Sequence, residues 1–310
     1  MDKNSKIFVT GSGGMVGRTL VSMLQQEGYI NLLLTKSDDL DLRNQIKVDE
    51  FFSREKPDYV IHLAARVGGI VANMTNPIEF LMDNMRIGMN VINTSFKYNV
   101  KKLLNLGSSC IYPRDCRQPM KEEYLLSGKL EPTNEGYALA KIAALKLCEY
   151  YFTQHGCNFI SLMPPNLYGI NDHFDEKNSH VLSALISRFH KAKIDHLEEV
   201  VVWGTGSPRR EFLYDEDLSK AIIYFMKNYD AKDLQPFINV GSGEDISIRD
   251  LAFLIRDLTN YQGKVVFDVT KPDGMPKKLL DNSRANTLGW KAKTSIGEGI
   301  KKTIEFYCRH

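Results

Sequence analysis

An apolar run that gives way to glycines and then to a helical pattern limits this chain more than any other feature. "KIFVTGSGGMVGRTL", residues 6–20, reads as a strand, a turn, and the opening of a helix closed later by Gly28. Gly11, Gly14 and Gly17 stand at G-x-x-G-x-x-G spacing across the turn. Glycine permits the tight turn and lets the backbone approach a pyrophosphate, and the helix N-terminus adds N–H groups and partial positive charge. A glycine triplet alone is a weak signal. Between a strand and a helix it has the context of a dinucleotide site.

The same alternation continues. "NLLLT", "DYVIHLAA" and "KKLLNLGSS" read as strands, and "FLMDNMRIGMNVINTSFKYN" as a helix. These strands are continuously apolar rather than alternating, so the sheet they form is parallel and covered on both faces. The expected fold class is α/β, a doubly wound parallel sheet of Rossmann type with a smaller C-terminal substrate lobe. Beyond "FISLMPPNLYG" the rhythm breaks, and residues 170–215 hold more His, Asn, Arg and Gly. "PFINVGSG" reads as a strand returning to the main sheet, "SIRDLAFLIRDLTN" as an amphipathic helix, and "GKVVFDVTKPDGMPKK" as a strand with a basic loop. The expected division is a nucleotide domain over 1–165, completed by a segment near 205–242, and a substrate lobe made mainly of 166–310.

Composition narrows the partners. A formal net charge of +2 in 310 residues gives no reason to expect nucleic acid or an acidic membrane. No stretch approaches the roughly 18 apolar residues that span a bilayer, and "MDKNSKIFVT" has no signal-peptide pattern. Five cysteines without a C-x-x-C pair or metal-ligand spacing fit reduced thiols, a cytoplasmic setting and no metal.

Two further patterns bear on chemistry. At the end of the second strand an acidic residue would bond a free ribose 2′-hydroxyl, whereas a basic one accommodates a 2′-phosphate. "LLLTKSDD" puts Lys36 before Asp38, which leans towards NADP. "NEGYALAKIAALKL" places Tyr137 and Lys141 on one helix face, with Ser108 at a strand end upstream. The three suit carbonyl reduction: Tyr137 gives a proton to the developing alkoxide, Lys141 draws the phenol's pKa towards neutrality, and Ser108 holds the oxygen.

With "HLAARVGGI", "GSSCIYP", "MPPNLYGINDHF", "NSHVLSALISRFH", "VVWGTGSPRREFLY" and "KPDGMPKKLLDNSR", these motifs resemble the extended short-chain dehydrogenase/reductases, a family of nucleotide-sugar enzymes, over nearly the whole chain. "SSCIYP", "NSHV" and "KPDG" point to the branch that epimerises a GDP-4-keto-6-deoxy sugar at C3 and C5 and then reduces C4 with NADPH. The resemblance implies that Cys110 and His180 move the epimerisation protons beside Ser108, Tyr137 and Lys141. A thiol and an imidazole bracket working pH, and the ketone acidifies both neighbouring carbons. Were residues 108–110 extended, Ser108 and Cys110 would point the same way.

The resemblance also implies an NADP(H) site. It is built from Gly11, Ser12, Gly13, Gly14, Met15, Val16 and Gly17, with Lys36, Ala64 and Ala65, then Leu106, Gly107, Ser108 and Ser109. Tyr137, Lys141, Pro164, Pro165, Asn166, Leu167 and His180 complete it. Arg188, Trp203, Arg210, Asp273 and Lys278 match positions used around the GDP-sugar, and a homodimer is expected. Some bacterial members carry arginines in the glycine loop and after the second strand, where this chain has Gly13 and Ser37, leaving Lys36 as the evident cation.

The nearest rival enzyme is a sugar-nucleotide 4,6-dehydratase, which needs a carboxylate acid/base pair where "SSCIYP" offers Cys and Ile. A plain C4 epimerase needs no proton-moving cysteine. A catalytically idle coenzyme-binding scaffold usually lacks the tyrosine or lysine that both stand here.

Overall fold

The computed structural model describes residues 1–174, 180–234, 237–271 and 273–309. The main sheet is built from β1 (Ile7–Thr10), β2 (Leu32–Leu34), β3 (Tyr59–His62), β4 (Lys102–Leu106) and β5 (Phe159–Met163). After them come β6 (Asn166–Tyr168), β7 (Glu199–Trp203), β8 (Arg209–Tyr214) and β9 (Ile238–Asn239), and finally β10 (Asp245–Ser247), β11 (Lys264–Asp268) and β12 (Lys277–Lys278). Six strands pair in parallel in the order β2-β1-β3-β4-β5-β9. The chain moves outward from β1 to β2 and then returns to the other side of β1. The crevice at that reversal is where doubly wound sheets bind ligands.

Period two explains why these strands are apolar throughout. Ile7 and Val9 face one layer, where α1 (Met15–Gln26) and a later helix cover them, while Phe8 faces the opposite layer. That second layer holds α2 (Gln45–Glu55), the short α3 (Ile70–Thr75) with its successor α4 (Pro77–Lys97), and α5 (Glu135–His155). Val48, Phe52, Val91, Ile92 and Ala144 supply the core beneath Phe8 and Val60. Asn44 starts α2 by accepting from the N–H groups of Ile46 and Lys47, and Gly156 closes α5 in the left-handed region.

The second half builds a separate layer. β8 is flanked by antiparallel β10 and parallel β12 and also pairs with β6, while β7 and β11 form a two-stranded parallel sheet. α6 (Val181–Ile194), α9 (Ile248–Thr259) and α11 (Ile296–Tyr307) pack over them through Leu185, Phe189, Leu251 and Ile300. α7 (Asp215–Asn228) instead joins α1 on the main sheet, followed by the single turn α8 (Ala231–Leu234), while α10 (Ser283–Thr287) lies beside β9.

"PFINVGSG" does return to the main sheet, as β9 beside β5. One reading fails. "KKLLNLGSS" leaves the sheet at Leu106, and residues 109–111 form a 3-10 turn. Ser108 and Cys110 therefore do not share a strand face. Ser108 caps the turn instead, its Oγ accepting from the Cys110 N–H at 3.2 Å.

Candidate active site

The glycine loop sits at the end of β1, against the end of β3. Gly11 has φ +70°, and a Cβ there would lie 2.9 Å from the Ala64 nitrogen. A Cβ on Gly17 would lie 2.1 Å from the Gly11 oxygen. Side chains are thus excluded from the inner side of the loop, and Gly14 caps α1. On the outer side Gly13 faces open space. Ser12 and the N-terminal turn of α1, Met15 and Val16, complete a cradle that fits a pyrophosphate. Ser12 Oγ donates to the Thr35 oxygen at 3.4 Å, which draws the loop against the end of β2, where Lys36 is exposed.

Below the crevice, Thr10 Oγ1 accepts from the Leu63 and Ala64 N–H groups and lies 2.8 Å from His62 Nδ1. Burial, aided by the Lys141 charge, pushes His62 down to about 3, so the ring is neutral. Ala65 follows at the same strand end. On the far side of β4, the Gly107 N–H donates to the Leu162 oxygen and the Ser109 N–H to the Pro164 oxygen. Those bonds bring Pro164, Pro165, Asn166 and Leu167 up to the Ser108 turn.

Ser108, Cys110, Tyr137 and Lys141 come together at the end of β4. Tyr137 and Lys141 lie on α5, with the ammonium 5.8 Å from the phenol ring centre. Lys141 Nζ donates to the Leu106 oxygen at 2.8 Å. Burial lowers this lysine to about 8, partly offset by the Cys110 sulfur. Tyr137 differs from the sequence expectation. Burial drives its hydroxyl well above the ordinary phenol value, the nearby Cys110 adds to that, and the hydrogen bond with Ser108 opposes it. The phenol is held protonated because desolvation outweighs the Ser108 hydrogen bond.

Cys110 is met from two sides. Asn134 Nδ2 donates to its sulfur at 3.1 Å, and Lys278 Nζ does so at 3.7 Å. Sequence reasoning missed Asn134, whose signal was its place one helical turn ahead of Tyr137 at the start of α5. Lys278 pairs in register with Arg210 across β12 and β8. Burial lowers Arg210 from its usual value, partly offset by Cys110, Glu131 and Asp273. Its Nη2 reaches the Asp273 backbone oxygen at 3.5 Å. The Asp273 carboxylate is occupied elsewhere, accepting from the Thr205 N–H and hydroxyl at 2.8 Å each.

Arg188 and Trp203 form a second group. Trp203 is half exposed rather than a core aromatic, with the Arg188 guanidinium 5.6 Å and the Lys271 ammonium 5.7 Å from its ring. His180 is the exposed N-cap of α6. No contact among the described residues joins its ring to the Cys110 group. Asn178 and Ser179 of "NSHV", and Pro272 of "KPDG", lie outside the described residues. Among those described, no three His, Cys, Asp or Glu side chains converge as a metal site, and no helix is long and apolar enough to cross a membrane.

The family model described as "NAD dependent epimerase/dehydratase family" matches residues 7–241, from β1 through the end of the main sheet. The chain belongs to that family. Among epimerase/dehydratase relatives, "GDP-L-fucose synthase 1" of Arabidopsis thaliana is 50% identical over 309 residues, covering 100% of this chain and 95% of its own. "GDP-L-fucose synthase" of Escherichia coli (strain K12) is 47% identical over 308 residues, covering 97% and 96%. The solved GDP-mannoheptose C4 reductase from Campylobacter jejuni, with NADP bound, superposes with a TM-score of 0.92 at 40% identity and 99% coverage of each chain. The resemblance drawn from the motifs is borne out at the level of family and branch.

Proposed function

We infer that the chain converts GDP-4-keto-6-deoxy-mannose to GDP-L-fucose, by epimerisation at C3 and C5 followed by NADPH-dependent reduction of the C4 ketone. Near-full-length identity of 47–50% to GDP-L-fucose synthases supports the reaction. The observation that carries the epimerase half is the Cys110 sulfur, set between Asn134 and Lys278 beside the Ser108–Tyr137 oxygen site.

In this reading the C4 oxygen lies against Ser108 Oγ and the Tyr137 hydroxyl. Cys110 and His180 exchange a proton with C3 or C5 across the sugar ring, one removing it and the other returning one to the opposite face. The electron pair left on carbon is delocalised onto the C4 oxygen, which the same two hydroxyls stabilise. The coenzyme, when bound along the glycine loop, supplies hydride to C4. Tyr137 then gives its proton to the resulting alkoxide, and Lys141 holds positive charge close by. Arg188, Trp203, Arg210, Asp273 and Lys278 are our assignment for the GDP-sugar, with arginine forks suited to its pyrophosphate.

A main domain over 1–165 with 205–242, and a substrate lobe mainly over 166–310, is our division of the chain. A cytoplasmic homodimer completes the reading. Ile78, Met82 and Met89 on α4, with Leu139 and Tyr150 on α5, leave apolar surface exposed on two neighbouring helices, which supports pairing there.

The deciding experiment supplies GDP-4-keto-6-deoxy-mannose and NADPH and reads the product's stereochemistry by NMR. GDP-L-fucose supports the full reading. A reduced but unepimerised 6-deoxy sugar would make the chain a simple C4 reductase, and no consumption of NADPH would reject both.

A further inference from the structure

Arg18 is the exposed fourth residue of α1, and its guanidinium turns back to the glycine loop. Its Nε donates to the Gly13 oxygen at 2.9 Å. That bond uses one of five guanidinium donors and leaves the terminal nitrogens free to face a ligand. Gly13 has open space where a side chain would begin, so the guanidinium lies at an uncovered edge of the cradle. Ser12, next to Gly13, is bonded to the Thr35 oxygen, and Lys36 follows Thr35. Gly13, which holds Arg18, and Lys36 therefore stand next to the two partners of one contact, Ser12 to Thr35.

Neither cation has an acidic partner among the described residues. Two arginines in the loops after β2 and β3 are neutralised: Arg43 pairs with Asp41 and Asp83, and Arg66 with Asp83. The Asp39 carboxylate is turned back to the Lys36 N–H at 3.4 Å. Among the described residues, these two cations without an acidic partner flank the glycine loop and the end of the second strand, where a ribose 2′-substituent is read. A planar fork and an ammonium suit a dianionic phosphate and have no comparable use for a neutral hydroxyl.

We propose that Arg18 is a specificity-determining residue for the coenzyme, forming with Lys36 a two-cation seat for the ribose 2′-phosphate. The proposal rests on the NADPH-dependent reading above and adds to it the residue that makes the preference strong. Lys36 alone would be a single mobile charge. Arg18 brings a second, held in place by the Gly13 carbonyl.

The test is calorimetric titration of the full chain with 2′,5′-ADP and with 5′-AMP, which differ by the phosphate in question. Arg18→Ala should weaken 2′,5′-ADP about tenfold, the size of one charge-assisted hydrogen bond, and leave 5′-AMP unchanged. Arg18→Lys should recover part of the loss, and the Arg18→Ala, Lys36→Ala double variant should bind the two probes alike. Equal weakening of both probes by Arg18→Ala would mean that Arg18 only shapes the loop, and would overturn the proposal, as would no weakening of either. A wild-type chain indifferent to the phosphate would reject the NADPH preference itself. A thermal melt of each variant accompanies the titration. Should Arg18→Ala fail to fold, Arg18→Gln, which can keep the bond to Gly13, carries the same comparison.

Discussion

The Lys278 ammonium stands 3.7 Å from the Cys110 sulfur, joining a strand of the second layer to the turn that follows β4. The position of Lys278 is fixed from behind. Glu211, buried on β8, accepts from the Leu280 N–H through Oε2 and the Gly243 N–H through Oε1, each at 2.8 Å. The carboxylate clamps the chain beyond β12 onto β8 and sets Lys278 opposite Arg210. The Cys110 turn and the cations we assign to the substrate's phosphates are thus held by one frame.

Cys110→Ser should slow incorporation of deuterium from D₂O at C3 and C5 by about 10²- to 10⁴-fold, the range for loss of a general acid or base. Binding of 2′,5′-ADP should not change, because our assignment sets the thiol at the sugar end of the site. Undiminished deuterium exchange would return Cys110 to the role of packing residue.

Reduction should depend on pH through Lys141, held near 8 by burial. Below that pH the ammonium is present, and as pH rises through about 8 it is lost, so kcat for reduction should fall on the alkaline side. Tyr137→Phe should lower kcat by about 10²- to 10⁴-fold while 2′,5′-ADP still binds. Lys141→Met should lower kcat and abolish the alkaline fall, since no group remains to titrate there. A fall that persists in Lys141→Met would assign it to another residue.

The fold was legible because the central strands β1, β3, β4 and β5 are buried on both faces, which forces the continuous apolar runs, and because Gly11 and Gly17 occupy places no side chain can enter. Tyr137 and Lys141 were legible from helical spacing taken together with the glycine loop, the parallel-sheet pattern and Ser108 at a strand end. The turn at Ser109–Ile111 was not. "LGSSCIY" has nothing that forbids a longer strand, and its end is set by the Ser108 cap and the bond from Ser109 to Pro164, a partner 55 positions away. The upward shift of Tyr137 was equally hidden, since desolvation depends on what covers the hydroxyl. Arg18 carries no signal of its own in the sequence, because only the folded loop shows its bond to Gly13.

Lys102, at the start of β4, illustrates a buried charge used for structure. Its ammonium donates to the oxygens of Phe225, Met226 and Tyr229, closing the C-terminal end of α7. Burial lowers it to about 8, partly offset by Asp230. Lys102→Met leaves these carbonyls without that donor and should cost roughly 3 kcal/mol, read as a lower urea midpoint with unchanged slope. An unaltered midpoint would show that water replaces the ammonium at no cost.

Asp215 provides the last prediction. It opens α7, accepts from Thr19 Oγ1 at 2.7 Å, and is covered by Gly169, where a Cβ would fall 2.1 Å from its carboxyl carbon. Burial raises it to about 6, with the hydrogen bonds from Thr19 and the Glu216 N–H opposing. The folded chain therefore holds a proton that the unfolded chain, with an ordinary carboxyl near 3.8, has released. Between those values the folded state binds more protons, so stability falls as pH rises through the window, by roughly 3 kcal/mol in total. Asp215→Asn keeps an acceptor for Thr19 and has no charge to bury. It should raise the urea midpoint at pH 7 and remove this contribution to the slope between pH 4 and 6. Unchanged pH dependence in Asp215→Asn would mean that Asp215 is solvated well enough to ionise normally, and that other carboxylates govern the acid limb.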